Sequence, residues 1–199
     1  MKPTTVYLVR HGEVFNPNEV VYGRLPGFGL SENGKKQAAV LGNFLQSKSI
    51  TAIYASPLTR AQETASFITK HFPNLKLLTD ERIIEIRSPV DGKPNRIMFE
   101  RKWNFYTKDL TGGGGETLTD VWRRMQKFLI DIMKRHQGET VVAVSHGDHI
   151  MIVGAKGNNK RLKLQHIRGN DYVPHASGIE IRMDGLHITS ILDMYTPIP

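Results

Sequence analysis

Two histidines in this sequence each follow an apolar, strand-like run, and each precedes a glycine. The first stands in Arg10-His11-Gly12 and the second in His146-Gly147. A neutral imidazole nitrogen can attack phosphorus and hold the phosphoryl group covalently. Arginine offers a planar fork that matches phosphate oxygens, and glycine lets a ligand come close to the backbone. The pattern therefore predicts a site for phosphoryl transfer.

Phosphoryl transfer needs a further cation and a source of protons. Arg60 falls about one helical turn after a third strand-like run and adds a second arginine. Four potentially cationic side chains in one pocket call for an anionic occupant, and a phosphate dianion fits them. The leaving alkoxide also needs a general acid. The segment after 75–79 offers three carboxyl groups, Asp80, Glu81 and Glu85, and the spacing leaves all three open.

The elements that would position these side chains alternate between strands and helices. Strands are predicted at 5–9, 51–55, 75–79, 140–145, 178–183 and 186–194, with a hairpin turn at Asp184-Gly185. Helices are predicted at 31–47, from Pro57 (N-cap Ser56) to about His71, at 95–107, at 117–136 and at 147–156. This alternation indicates an α/β fold, a three-layer sandwich whose mostly parallel central sheet has helices on both faces. In such sheets ligands bind beyond the carboxyl ends of the strands.

Composition narrows the class of protein. The chain has 199 residues, no cysteine and a net charge of +8, so we expect one domain over 1–199 without disulfides or thiolate chemistry. The N-terminus shows no secretory signal and no run is apolar enough for a membrane helix, which favours a cytoplasmic protein without membrane contact. The basic balance suits a small phosphorylated substrate, and it leaves nucleic acid open as a weak electrostatic partner. Neither the substrate nor the oligomeric state can be read from the sequence.

Four motifs, in order and spacing, resemble those of the histidine phosphatase superfamily, the phosphoglycerate-mutase-like clade with the RHG signature. They are LVRHGEV, ASPLTRAQETA, RIIEI and VSHGDHI, and together they cover nearly the whole chain. The resemblance implies the phosphoglycerate-mutase-like fold. It also implies that His11 is the phosphorylated nucleophile, that Glu85 donates the proton, and that Arg10, Arg60 and His146 form the phosphate pocket.

The sequence departs from the family pattern in three places. An asparagine that usually follows the nucleophile by six residues is replaced by Pro17, which lies between Asn16 and Asn18, and we choose Asn16. The run IRSPVDGKP after the acid differs from the usual one, and His175 stands where many relatives carry asparagine. The expected substrate-binding residues are Asn16, Gly147, Arg24 and Gly27.

Other readings of the same residues are weaker. His146 and His149 could share a helix face as half of a metal site, but no further histidine cluster lies nearby in sequence, so we expect neither a metal nor a cofactor. The glycine run 112–115 lacks the Lys-Ser/Thr of a P-loop and is typical of a hinge in a lid-like insert around 86–115. Trp103, Phe105 and Tyr106 in this insert are expected in its core, with stacking on a substrate ring as the alternative.

We therefore expect a metal-independent phosphomonoesterase, a hydrolase that releases inorganic phosphate through a phosphohistidine. Phosphoglycerate mutase activity is the first rival, and the short 86–115 segment argues against it because cofactor-dependent mutases of this family carry a longer insert after the acid. A non-catalytic module that binds a phosphorylated ligand or RNA is the remote alternative. A set of basic residues near the insert suggests a substrate with charge beyond the transferred phosphate: Lys93, Arg96, Arg101 and Lys102.

Overall fold

A six-stranded sheet with the order β3-β2-β4-β1-β5-β6 forms the centre of the computed structural model, which describes residues 2–169, 171–185 and 187–194. The strands are β1 (Thr4–Arg10), β2 (Ile50–Ala55), β3 (Leu77–Thr79), β4 (Thr140–Ser145), β5 (Gly178–Asp184) and β6 (His187–Met194). The first four pair in parallel, whereas β5 runs antiparallel to both β1 and β6. The predicted mostly parallel sheet is confirmed.

Helices cover both faces of this sheet, as the alternating pattern predicted. They are α1 (Glu32–Leu45), α2 (Thr59–Thr69), α3 (Arg96–Glu100), α4 (Lys108–Gly112), α5 (Leu118–Arg135), α6 (Gly147–Gly157) and α7 (Leu164–Ile167), with a 3-10 helix at Glu81–Ile83. Val6 and Leu8 of β1 join one apolar cluster with residues of α5 and α6. Tyr7 and Val9 point the other way and join a second cluster with residues of α1 and α2.

Strand β4 lies between β1 and β2 and is apolar without alternation because both of its faces are covered. Helix α5 precedes β4 in the chain and begins with a capping box, in which the Thr117 and Asp120 side chains each accept from the other residue's backbone N–H. His146 directly follows β4, and the pairing of β4 with β1 places it beside His11.

The structure corrects several predicted boundaries. Helix α2 begins at Thr59 rather than at Pro57, because the backbone of Leu58 is extended, with φ of −74° and ψ of 139°; the Ser56 hydroxyl lies 2.8 Å from His146 Nε2. The predicted 95–107 helix ends at Glu100, since Lys102 and Trp103 have φ values of 49° and 55°, which a helix does not allow. The strand predicted at 75–79 covers only Leu77–Thr79.

Strand β6 begins at His187, and Leu186, where that strand was predicted to start, lies outside the described residues. No helix in the described part of the chain is both long enough and apolar enough to span a membrane. The division into one domain over 1–199 with an insert at 86–115 stays a prediction.

Candidate active site

The carboxyl ends of β1 and β4 place the two histidines side by side. Arg10 pairs with Ser145 in the parallel register, and the His11 backbone N–H donates to the Ser145 carbonyl at 3.1 Å. The His11 and His146 rings are consequently 5.2 Å apart, edge to face. Both side chains are buried, so the strand ends form an enclosed pocket floor rather than a solvated edge.

The His11 ring is held with one nitrogen available. Its Nδ1 lies 2.7 Å from the Gly12 carbonyl oxygen, which can only accept, so Nδ1 carries the proton. Nε2 then has a free lone pair, toward which the Arg60 Nε donates at 3.2 Å. Burial, followed by the charge of Arg60, holds the pKa of His11 well below its usual value. The lowered pKa and the tautomer together leave His11 a neutral imidazole with its lone pair on Nε2.

Arg60 lies at the centre of the site, on the first turn of α2. Its Nη2 donates to the Gly23 carbonyl at 2.9 Å and lies 3.3 Å from His146 Nδ1 and 3.5 Å from the Glu85 carboxylate. Its Nη1 is buried and has no hydrogen-bond partner among the residues that the structure describes. A buried, unused guanidinium donor beside the His11 ring suits an anionic oxygen.

His146 completes the opposite wall. Its Nε2 is 2.8 Å from the Ser56 hydroxyl, and its Nδ1 is 3.3 Å from the Glu85 carboxylate. Burial and the charge of Arg60 lower the pKa of His146 well below its ordinary value, so its neutral form is favoured in the empty pocket.

Glu85 is the carboxyl group that reaches the pocket. Its Oε1 accepts from the Ile86 backbone N–H at 2.8 Å, and burial raises its pKa despite the nearby Arg60. Of the two alternatives, Asp80 caps the 3-10 helix and pairs with Arg82, whereas Glu81 is exposed. A raised pKa favours the protonated form of the carboxyl group, which is the form that a general acid needs.

The pocket in front of His11 has a volume of about 490 Å³. Besides Arg10, His11, Glu85 and Gly147, it is lined by residues of the 86–115 segment and of the chain around Tyr22 and Tyr172. Arg10 is oriented by a 2.8 Å bond from Nη1 to the Val173 carbonyl. The structure thus brings together all five predicted catalytic side chains.

Three of the four predicted substrate-binding residues lie outside the pocket lining. Asn16 closes a local turn, since its amide donates to the Val20 carbonyl at 2.9 Å and accepts from the Val20 N–H at 3.2 Å. Arg24 donates to the Glu85 backbone carbonyl at 2.7 Å and pairs with Glu116 at 2.8 Å, so it holds the backbone at Glu85 in place.

Gly27 has a φ of 82°, and a side chain there would meet open space, so its role is that of a turn. Gly147 does line the pocket, and its lack of a Cβ matters because one would collide with Tyr172. Of the four basic residues noted near the insert, only Lys102 lines the pocket.

A buried polar network lies behind the pocket, and sequence analysis did not predict it. Asp148 accepts hydrogen bonds from the Tyr106 hydroxyl at 2.6 Å and the Tyr172 hydroxyl at 2.8 Å, and it pairs with Arg168 at 2.7 Å. Tyr172 also packs against the Arg10 guanidinium, 5.2 Å from the ring centroid. Four segments distant in sequence meet here, and no spacing rule connects them.

His11, Glu85 and His146 have potential metal-ligating atoms within 4.8 Å of one another. The Arg60 guanidinium lies within 3.5 Å of each of the three side chains. The donor set therefore already surrounds a cation, and a metal ion at the same point would face the repulsion of Arg60.

Comparison with known proteins agrees with this geometry. Residues 6–185 match the sequence profile of the histidine phosphatase superfamily (branch 1). Phosphoserine phosphatase 1 of Hydrogenobacter thermophilus is 37% identical over 153 residues, covering 70% of this chain and 69% of that protein. The probable phosphoglycerate mutase GpmB of Yersinia enterocolitica is 33% identical over 150 residues, covering 71% and 69%.

Bacillus stearothermophilus YhfR superposes with a TM-score of 0.78 at 28% identity, over 98% of this chain and 96% of its own. The fold is thereby phosphoglycerate-mutase-like, and the relatives include both a phosphatase and a mutase. This chain belongs to the histidine phosphatase superfamily.

Proposed function

We propose that the protein is a metal-independent phosphomonoesterase that works through a phosphohistidine at His11. The observation that carries the proposal is the fixed tautomer of His11, whose Nδ1–H is held by the Gly12 carbonyl while Nε2 keeps its lone pair beside Arg60. A histidine prepared in this way, in a pocket that also holds a protonatable Glu85, has the parts needed for covalent phosphoryl transfer.

In the first step His11 Nε2 attacks phosphorus, and the bond between phosphorus and the ester oxygen breaks. Glu85 transfers its proton to the departing oxygen, so an alcohol leaves instead of an alkoxide. Charge on the phosphoryl oxygens is stabilised by Arg10, by the unused Nη1 of Arg60 and by His146.

In the second step a water molecule attacks the phosphohistidine. Glu85, now ionised, accepts a proton from that water, the bond between phosphorus and nitrogen breaks, and inorganic phosphate leaves. His11 returns to its neutral form with the proton still on Nδ1. The carboxyl group is thus the acid of one step and the base of the other.

Hydrolysis is favoured over phosphoryl exchange by two considerations. A phosphatase at 37% identity is among the relatives, beside a probable mutase at 33%. The 86–115 segment is also short for a lid that must retain a leaving group. Mutase activity is the second candidate, since the same phosphohistidine would serve it.

The test compares two products with purified protein. With 4-nitrophenyl phosphate we expect steady release of phosphate, which His11→Ala abolishes and His187→Ala, at an exposed histidine, leaves intact. With 3-phosphoglycerate and a catalytic amount of 2,3-bisphosphoglycerate, we expect 2-phosphoglycerate to form no faster than phosphate is released. Full activity of His11→Ala would disprove the assignment of His11 as the nucleophile. Isomerisation faster than phosphate release would make the protein a mutase.

A further inference from the structure

The pocket is larger than the phosphoryl site at its floor. Its volume of about 490 Å³ is in the range of sites that enclose a whole small ligand. The part away from His11 is bounded by Tyr22 and by residues of the 86–115 segment, and we call it the outer part of the pocket. Because the phosphoryl group is held at the floor, the outer part must hold the leaving group of the substrate.

Three cationic side chains line the pocket, and they differ in how their charge is used. Arg10 belongs to the phosphoryl site, and Arg168 pairs with the buried Asp148 at 2.7 Å. Lys102, in the outer part, makes neither a hydrogen bond nor an ion pair through its side chain among the residues that the structure describes. Its ammonium group can therefore bind an anion of the ligand.

Neither of the carboxyl groups that line the pocket in the described chain pairs with Lys102. Asp91 packs against Gly23. Its Oδ2 accepts from the Arg24 backbone N–H at 2.9 Å and its Oδ1 is buried, so the carboxylate faces Gly23 and Arg24. Burial raises the pKa of Glu85 and so favours its neutral form. The charge of Lys102 is thus left to attract an anion into the outer part.

The backbone at Lys102 is strained. Helix α3 ends in a Schellman motif, in which the Trp103 N–H donates to the Met98 carbonyl at 2.8 Å. The Lys102 N–H donates to the Phe99 carbonyl at 2.9 Å, and Lys102 follows the C-cap with a φ of 49°. Glycine is usual at this position because it adopts a left-handed backbone without steric cost, and strain of this kind clusters at ligand sites. A lysine here indicates a use for its side chain beyond ending the helix.

The structure also separates Lys102 from the other basic residues near the insert. Lys93, Arg96 and Arg101 do not line the pocket, and Arg101 pairs with Asp109 at 2.9 Å. Within the described residues, Lys102 is therefore the cation placed to meet a substrate charge beyond the transferred phosphate.

We propose that Lys102 is a specificity-determining residue that binds a second anionic group, a carboxylate or a phosphate, on the leaving group of the substrate. A lysine ammonium is a compact point charge on a flexible stem, so it can meet either anion. The inference rests on the proposed phosphatase function. It adds the class of leaving group and the residue that selects it.

The experiment measures kcat/KM at low ionic strength with two sets of probes, and the members of each set differ in one anionic group. 3-Phosphoglycerate and glycerol 3-phosphate differ by a carboxylate. Fructose 1,6-bisphosphate is compared with the better substrate of fructose 1-phosphate and fructose 6-phosphate, each of which lacks one phosphate. 4-Nitrophenyl phosphate reports on the phosphoryl site alone.

Three variants of Lys102 separate its charge from its place in the fold. Lys102→Met removes the charge and keeps the stem, whereas Lys102→Arg keeps the charge. Lys102→Gly removes the side chain and supplies the residue that the Schellman motif prefers. Lys108→Met is the matched control, because Lys108 is an exposed lysine of the same 86–115 segment that does not line the pocket.

We expect the wild-type enzyme to prefer the more anionic member of at least one set by about 5- to 30-fold, between the effect of an exposed ion pair and that of a charge-assisted hydrogen bond. Lys102→Met and Lys102→Gly should lose most of this preference and keep their activity on 4-nitrophenyl phosphate. Lys102→Arg and Lys108→Met should retain the preference. Lys102→Gly should also raise the urea midpoint, because glycine relieves the strained backbone. The set that responds identifies the anion as a carboxylate or a phosphate.

Three results would overturn the inference. They are a wild-type enzyme without preference in either set, a Lys102→Met variant that keeps the preference or loses activity equally on all probes, and a lower urea midpoint for Lys102→Gly, which would mean that the lysine serves stability. An enzyme that hydrolyses 4-nitrophenyl phosphate through His11 but fails these tests would refute the inference alone. An enzyme inactive on all probes would refute the proposed function itself.

Discussion

Replacement of Glu85 by glutamine separates the chemistry of the acid from its structural contacts. The glutamine carbonyl oxygen can still accept from the Ile86 N–H, now 2.8 Å from Oε1, and the backbone carbonyl of residue 85 stays bound by Arg24. The transferable proton is lost, and an NH₂ group replaces Oε2, which lies 3.5 Å from Arg60 Nη2 and 3.3 Å from His146 Nδ1. We expect the size of the defect to depend on how much help the leaving oxygen needs.

The expected magnitude follows from that dependence. A positioned general acid contributes about 10²–10⁴-fold, which corresponds to about 3–5 kcal/mol of the barrier. An alkyl phosphate should lose this full factor in kcat/KM, because its alkoxide is a poor leaving group. 4-Nitrophenolate leaves without protonation, so the first step with 4-nitrophenyl phosphate should be much less affected.

A stopped-flow assay makes the distinction visible. With 4-nitrophenyl phosphate, Glu85→Gln should release nitrophenolate in a burst equivalent to the enzyme concentration, followed by slow turnover, because the base of the second step is missing as well. Glu81→Gln, at an exposed carboxyl nearby, is the control and should behave as wild type. Equal losses on alkyl and aryl substrates without a burst would refute the assignment of Glu85.

Two further outcomes follow from packing and from protonation. Gly147→Ala should lower the free energy of unfolding in urea by about 1–3 kcal/mol and reduce kcat/KM at least tenfold, because its Cβ would displace Tyr172 from Arg10. In the control Gly154→Ala, on the same helix, the new Cβ meets nothing within 4 Å, so this substitution should be neutral or stabilising. Equal effects of the two substitutions would contradict this packing. Stability should also fall as pH drops below about 6.5, the usual histidine value, by up to about 1.4 kcal/mol per pH unit for each affected group. Burial lowers the pKa of His11, His146, His149 and His175, that of His175 to about 3, so the unfolded chain binds more protons than the folded chain in this range. Glu85, whose pKa is raised by folding, opposes this effect. A urea midpoint that rises toward pH 5 would be inconsistent with neutral buried histidines.

The catalytic centre could be predicted from sequence because each part is local. Arg10-His11-Gly12 directly follows a predicted strand, so His11 must lie at the carboxyl end of that strand. The parallel pairing of β1 with β4 then brings His146 alongside. Glu85 could be ranked above Glu81 only through the family resemblance, since both follow the same short strand. The structure separates them by exposure.

The remainder of the pocket could not be predicted, since it depends on contacts between distant segments. Ser56 has the sequence pattern of a helix cap, but its hydroxyl contacts His146 across the sheet edge. Asn16 has the right type for a phosphate contact, but its amide is used by Val20 four residues on. Asp148 gathers two tyrosines and Arg168 only after the chain has folded.

The central claim is tested most directly by isolating the intermediate. Glu85→Gln, which should slow its breakdown, is mixed with an excess of 4-nitrophenyl phosphate, quenched in base and digested for mass spectrometry. We expect close to one phosphoryl group per chain, lost on mild acid treatment, on the peptide that contains His11 and not on the one that contains His146. Label on another residue, or the same label in a variant that also carries His11→Ala, would contradict the account.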